Sequence, residues 1–192
     1  AKLYDTLTYF TAYNLVHIPL EIIFPILGTL TLYWIVGFND EQWFRPIITI
    51  GLLILCQLAN ESLGLMVSAV VKTVDVGMLI MSAFLIIWQA FAGNLVKDVK
   101  WYFKPFEYTS VYKYALQAIT LNEFTRKDFT CQVPGQTDHS VTTTCTGEGV
   151  VRSIYPSGYL SIWQNSLVLL GMVILFRLIC LFLLRFKKWN MH

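Results

Sequence analysis

The chain has 192 residues, 56% of them hydrophobic and only 14% charged, with a formal net charge of +2 and a mean hydropathy of +0.57. A water-soluble domain is typically about 25% charged, so the deficit points to lipid, and so small a net charge gives no basic surface for nucleic acid. No G-x-x-x-x-G-K-[ST] pattern occurs, so this segment encodes no phosphate-cradling loop.

The start at Ala1, without a charged-then-apolar leader, reads as a cut through a longer protein. Four segments are then long enough to cross a bilayer, which takes about 20 apolar residues. The first covers about 13–38 ("YNLVHIPLEIIFPILGTLTLYWIVGF"), the second about 44–71, and the third about 74–96 ("VDVGMLIMSAFLIIWQAFAGNLV"). The fourth covers about 159–184 ("YLSIWQNSLVLLGMVILFRLICLFLL"). Each is expected to be a helix, because backbone in lipid has to satisfy its own hydrogen bonds. "NDEQW" (39–43) and "KTVD" (72–75) are tight turns, whereas the third connection runs from 97 to 158. Within it Tyr108, Val111, Tyr112, Ala115, Ala118, Ile119 and Asn122 recur at helical spacing, with Lys113, Gln117 and Thr120 elsewhere on the wheel. That pattern predicts an amphipathic helix, lying at the membrane interface or dipping in from it. Trp101, Tyr102, Phe103, Phe106 and Tyr108 anchor it there.

Four spans put both ends on one side. Arg185, Lys187 and Lys188 follow the last span closely, which marks that side as cytosolic. The 97–158 connection is then extracellular, since long loops cross largely regardless of their charge. Its polar stretch "FTCQVPGQTDHSVTTTCTGEG" (129–149) cannot build a core of its own. Cys131 and Cys145 bracket it in an oxidising compartment, where a disulfide between them would contribute about 3 kcal/mol; the alternative is two free thiols. Cys56 and Cys180 sit inside spans and read as small hydrophobes. The sequon Asn60-Glu61-Ser62 lies in the middle of the second span, out of reach of glycosylation.

Ionisable groups at membrane depth are costly and face a bundle interior or a watery path. His17 and Glu21 lie one turn apart on the first span, between and beside Pro19 and Pro25. Glu61 lies beside Gln57 and Asn60 on the second, Gln89 on the third and Arg177 on the fourth. His17 and Glu21 are candidates for a structural pair. Glu61 reads equally as an inter-helix hydrogen-bonding group or as a functional one. Arg177, about two turns from the cytosolic end, is expected to snorkel toward it. No metal-ligand spacing and no nucleophile–base set is present, so no catalytic residue and no metal site is assigned.

"FTAYNLVHIPLEIIFPILGTLTLYWIVGF", "AGNLV" (92–96), "YKYALQAITLNEF" (112–124) and "CTGE" (145–148) followed by Trp163 occur in an order that resembles one family along essentially the whole chain. The sequence is similar to the C-terminal part, helices three to six, of the transmembrane domain of G-subfamily (White/pleiotropic drug resistance) ABC transporters. The resemblance implies a partial ABC-2 type transmembrane domain over residues 1–192. ATP and Mg would be bound by nucleotide-binding domains outside this chain, and the segment itself would hold no cofactor. It implies a second transporter half as partner, membrane lipid around both, and export of lipids, sterols or amphipathic drug-like compounds, with the plasma membrane as the expected location. In the family the fifth helix lines the cavity and a leucine pair at its outer end forms a plug. Asn94 and Leu95 hold those positions here, so only Leu95 carries over cleanly. The further cysteine that links subunits in some members has no counterpart between Cys131 and Cys145, so no covalent dimer is implied.

The residues themselves point to the same helix. Ser82, Ile86, Gln89 and Gly93 recur at i, i+4, i+7 and i+11 on the third span, with Leu79 and Phe84 assigned to the opposite face. A face of small, apolar and amide groups suits a cavity for amphipathic molecules, or else a small-residue helix-packing seam. The expected fold is an all-α membrane protein: four transmembrane helices, an interfacial or re-entrant amphipathic helix, and a disulfide-closed extracellular loop. A tetraspanin-type organiser is the competing function. It shares four spans and a large loop before the last, but the loop here lacks Cys-Cys-Gly and has two cysteines only.

Overall fold

A computed structural model describes residues 6–36, 44–93, 100–125, 128–132, 142–155 and 158–189. In chain order these form α1 (Thr6–Val36), α2 (Arg45–Val70), α3 (Val74–Ala90), a 3₁₀ turn (Trp101–Phe103), α4 (Lys104–Thr109), α5 (Val111–Phe124), strands β1 (Asp128–Gln132) and β2 (Thr142–Thr146), α6 (Gly147–Ile154) and α7 (Ile162–Trp189).

Three of these helices are long and apolar enough to cross a membrane: Phe10–Ile35, Arg45–Val70 and Ile162–Arg185. The third expected span is shorter than its sequence pattern. Helix α3 stops at Ala90 and has 17 residues, a length of about 25 Å at 1.5 Å per residue. The chain breaks from it through Gly93, whose φ is +96°, a backbone region that a Cβ disfavours.

Helices α2 and α7 make the most extensive helix–helix contact. Their buried stripes are written alike. Leu52, Cys56, Ala59, Leu63 and Val67 on α2 meet Leu169, Val173, Phe176 and Cys180 on α7, each series advancing by three or four residues. Small Ala59, fully buried, lets the neighbouring helix approach closely. Trp88 from α3 and Val111, Tyr114, Ala115 and Ala118 from α5 complete one contiguous core. The outer faces keep large apolar side chains exposed, among them Leu15, Trp34, Leu167 and Leu178, as a surface solvated by lipid requires.

Helix α1 continues through Pro19 and Pro25. Each proline removes a backbone donor and frees the carbonyl four residues before it; further along the helix Thr29 Oγ1 donates to the Pro25 carbonyl at 2.7 Å and Thr31 Oγ1 to that of Leu27 at 2.8 Å, so both hydroxyls are satisfied within α1. Helix α1 rests mainly on α2 and touches α7 only lightly.

The connection between α3 and α7 is not an outlying loop. Of the two placements open to the amphipathic helix, the structure takes the inward one: α5 inserts between α2, α3 and α7. Its burial also reaches beyond the predicted stripe. Gln117, assigned to the polar side of the wheel, is 2% exposed and accepts from the Leu160 backbone N–H at 3.3 Å. Periodicity marks apolar faces and passes over an amide that is buried because it caps the start of another element. At the opposite end Ser110 is the N-cap of α5, accepting from Lys113 N. The same hydroxyl donates to the Trp88 carbonyl at 2.8 Å, satisfying a last-turn acceptor of α3.

The two strands were not expected from an all-α pattern. They pair antiparallel, with Phe129 opposite Cys145 and Cys131 opposite Thr143. In that register Cys131 and Cys145 are not a directly opposed pair. Cys56 and Cys180 are free and buried, as small hydrophobes in spans should be.

Candidate transport face and intramembrane polar sites

Helix α3 turns Trp88, 2% exposed, and Met81 toward the core. Ser82, Ile86 and Gln89 are all exposed, so this face is left uncovered by the rest of the chain. Ser82 donates back to the Leu79 carbonyl at 2.9 Å, a bond within its own helix. Leu79 does not lie on a packed opposite face; it is 69% exposed, and Phe84 is 38% exposed with its ring edge-on to Trp88. A 100° step per residue carries Leu79 back near Ile86, which the simple two-face division overlooked.

Gly93 separates from the other three. A Cβ placed on it would lie 3.0 Å from Cε1 of Tyr155. Its lack of a side chain therefore serves a close approach of the α3 end to the α6 end, with Tyr155 buried against it. Asn94 and Leu95, the expected gate positions, lie outside the described residues.

The intramembrane charges are arranged differently from their sequence spacing. His17 stacks on Tyr13 with ring centroids 4.1 Å apart, and among the described residues no ion pair joins it to Glu21. Glu21 is 6% exposed and turned toward α2, within hydrogen-bonding reach of the Glu61 carboxyl. Arg177 does not snorkel. Its Nη2 donates to Glu61 Oε2 at 3.2 Å and its Nε to Ser62 Oγ at 3.1 Å. A carboxylate one helix away offers the guanidinium a partner at its own depth, and fork geometry engages two acceptors at once. Ser62 and Asn60, two members of the sequon, are thus packing residues: Ser62 is fully buried and Asn60 donates to Cys56 Sγ at 3.7 Å.

A second polar cluster joins α1, α2 and α5, and sequence reasoning passed over most of it. Arg45, 5% exposed in the first turn of α2, donates to the carbonyls of Asn122 at 2.9 Å, Glu123 at 3.4 Å and Thr125 at 3.0 Å. These are last-turn acceptors of α5 that would otherwise be orphaned. Asn122 Nδ2 donates in return to the Arg45 carbonyl and to Thr49 Oγ1, each at 3.0 Å. Glu123 accepts from the Tyr33 hydroxyl of α1 and from Thr49. The signal lies in the "NEF" run, which carries the family resemblance and of which only Asn122 falls on the predicted helical stripe.

Beside this cluster a cleft of about 670 Å³ opens between α2, α5, α6 and α7, with Leu52, Leu55, Leu121 and Trp163 among its walls. Ser82, Ile86 and Gln89 do not line it.

Three long apolar helices, a shorter apolar helix and polar ties between them define an integral, multi-pass membrane protein. Residues 1–124 match the ABC-2 type transporter family, and the chain belongs to that family. Along nearly its whole length it is similar to G-family ABC transporters. It is 25% identical over 193 residues to ABC transporter G family member 1 of Dictyostelium discoideum, covering 97% of this chain and 24% of the relative. It is 30% identical over 198 residues to the ABC transporter ATP-binding protein/permease wht-1 of Caenorhabditis elegans, covering 97% and 28%. With ABC transporter G family member 5 of Arabidopsis thaliana the identity is 28% over 185 residues, covering 95% and 27%. The chain spans about a quarter of the length of these relatives. It is the transmembrane part of an ABC-2, G-family-type transporter, and this replaces the tetraspanin alternative.

Proposed function

We propose that this chain is part of the membrane-spanning half of an ATP-driven exporter of lipids, sterols or amphipathic compounds. The observation that carries the reading is the uncovered face of α3. In a domain of this family, a helix whose core side is fixed by Trp88 presents Ser82, Ile86 and Gln89 outward. A facing second half would close a cavity over them, with Asn94 and Leu95 as the outer gate. Apolar burial would supply most of the affinity, and the Gln89 amide would orient the ligand. Helix α3 crosses as a short fourth span, both ends of the chain are cytosolic, and the 97–158 segment is reached from the extracellular side. Cys131 and Cys145 form a disulfide there; a two-residue slip of β1 on β2 would bring them directly opposite each other. ATP and Mg act at a nucleotide-binding domain outside this chain, and the plasma membrane is the expected location.

The test is ATP-dependent uptake of a fluorescent sterol or amphipathic dye into inside-out vesicles carrying the complete transporter. Burial of a side chain such as Ile86 is worth roughly 1.5–3 kcal/mol. Ile86→Ala should therefore raise the half-maximal concentration for substrate-stimulated ATPase by about tenfold or more, with basal ATPase and expression retained. Gln89→Ala should change the ranking of substrates. Unchanged apparent affinity for every transported compound in both variants would assign this face to protein packing instead.

A further inference from the structure

Glu21 of α1, Glu61 of α2 and Arg177 of α7 meet at membrane depth, and the charges do not balance if both carboxyls are ionised. Arg177 bridges to Glu61 Oε2 at 3.2 Å, so one ion pair is complete. Glu21 is the surplus acid. It is 6% exposed, its carboxyl reaches Glu61, the ion pair of Arg177 goes to Glu61 instead, and its Oε2 has no partner among the described residues; Glu61 Oε1 is likewise buried and unpartnered. Two carboxyls in contact, each with a buried oxygen that lacks a partner, are an arrangement that a single proton repairs. Glu61 and Arg177 are the charged groups that act on Glu21 from the helices packed against α1. His17, one turn away on α1 itself, is engaged with the Tyr13 ring. An uncompensated charge in lipid is costly enough that the group neutralises instead.

We propose that Glu21 is a proton-binding site: its carboxyl stays protonated in the membrane and donates its O–H to Glu61, whose own charge Arg177 balances. The cluster is then electrically neutral and every acidic group has a partner. The proton ties α1 to the α2–α7 pair, separately from the Tyr33 bonds to Thr49 and Glu123. The inference needs only that these helices lie in the membrane, and it is independent of what is transported.

Infrared spectroscopy of the complete transporter in lipid nanodiscs at neutral pH tests it, because a protonated carboxyl in an apolar site has its own C=O stretch that shifts in D₂O. Subtracting the Glu21→Gln spectrum from the wild type should leave one such band. In Glu61→Gln the remaining carboxyl, Glu21, should ionise against Arg177 and the band should vanish. In Arg177→Gln no cation remains and the band should roughly double, both acids being neutral. Glu21→Gln preserves shape and hydrogen bonding, so it keeps the test open if the arginine variant fails to fold. A wild-type spectrum without the band, a band that survives Glu21→Gln, or one unchanged in Arg177→Gln would each overturn the proposal.

Discussion

Arg45 and Asn122 hold each other reciprocally: the guanidinium donates to the Asn122 carbonyl at 2.9 Å, and the Asn122 amide donates to the Arg45 carbonyl at 3.0 Å. The first turn of α2 and the last turn of α5 are thereby fastened 77 residues apart in sequence. The clasp fastens the end of α5, and with Tyr33 bound to Glu123 it includes α1 as well.

Removing Arg45 should be costly. Arg45→Met would leave three buried or half-buried carbonyls without a donor, at about 1–3 kcal/mol for each group truly cut off from water. The expected result is a clear loss of thermal stability of the full transporter in detergent. Arg45→Lys should recover only part of it, since an ammonium cannot reproduce the planar fork. A lysine variant as stable as wild type would show that charge alone matters here.

Gly93 should be sensitive to the smallest addition. Gly93→Ala meets both a positive φ and the Tyr155 ring at 3.0 Å, and should cost about 1–2 kcal/mol from the backbone conformation alone. Pairing it with Tyr155→Ala should relieve the steric part and leave the conformational part. Thermal melting of the two single variants and the double variant measures this, and strict additivity would mean that the ring does not crowd the site.

Helix α3 offers an internal contrast. Trp88→Ala empties a core position and should destabilise by about 3–5 kcal/mol, seen as lost surface expression or a lower melting temperature. Leu79→Ala, at a 69% exposed position, should leave folding intact. Equal loss in both would mean that the Leu79 side is covered by protein rather than lipid in the assembled transporter.

The proposed disulfide can be read chemically. On intact cells a membrane-impermeant maleimide should label Cys131 and Cys145 only after reduction, and Cys131→Ser should expose Cys145 without it. Ready labelling of both in the unreduced wild type would mean that the β1–β2 register persists, with the two cysteines unopposed, and the loop stays open.

Much of this protein was legible in its sequence because lipid imposes a simple rule: apolar runs of sufficient length must be helices. The run 44–71 became α2 at nearly its predicted ends, with Pro46 in its first turn and polar residues after it. The buried stripes of α2 and α7 likewise follow from helical spacing. Polar groups obeyed no such rule. Glu61 and Arg177 are 116 residues apart, and nothing local says that they meet; His17 and Glu21 are one turn apart and went to different partners. The end of α3 was hidden for a related reason. Residues 91–96 are apolar enough to extend a span, but Gly93 takes a positive φ and has Tyr155, from a segment beyond α5, packed against it. Hydropathy is a property of one chain segment against solvent, and it determined which segments enter the membrane. Which charges pair, which amide is buried and where a helix stops depend on what neighbouring helices offer at that depth, and only the tertiary structure decided them.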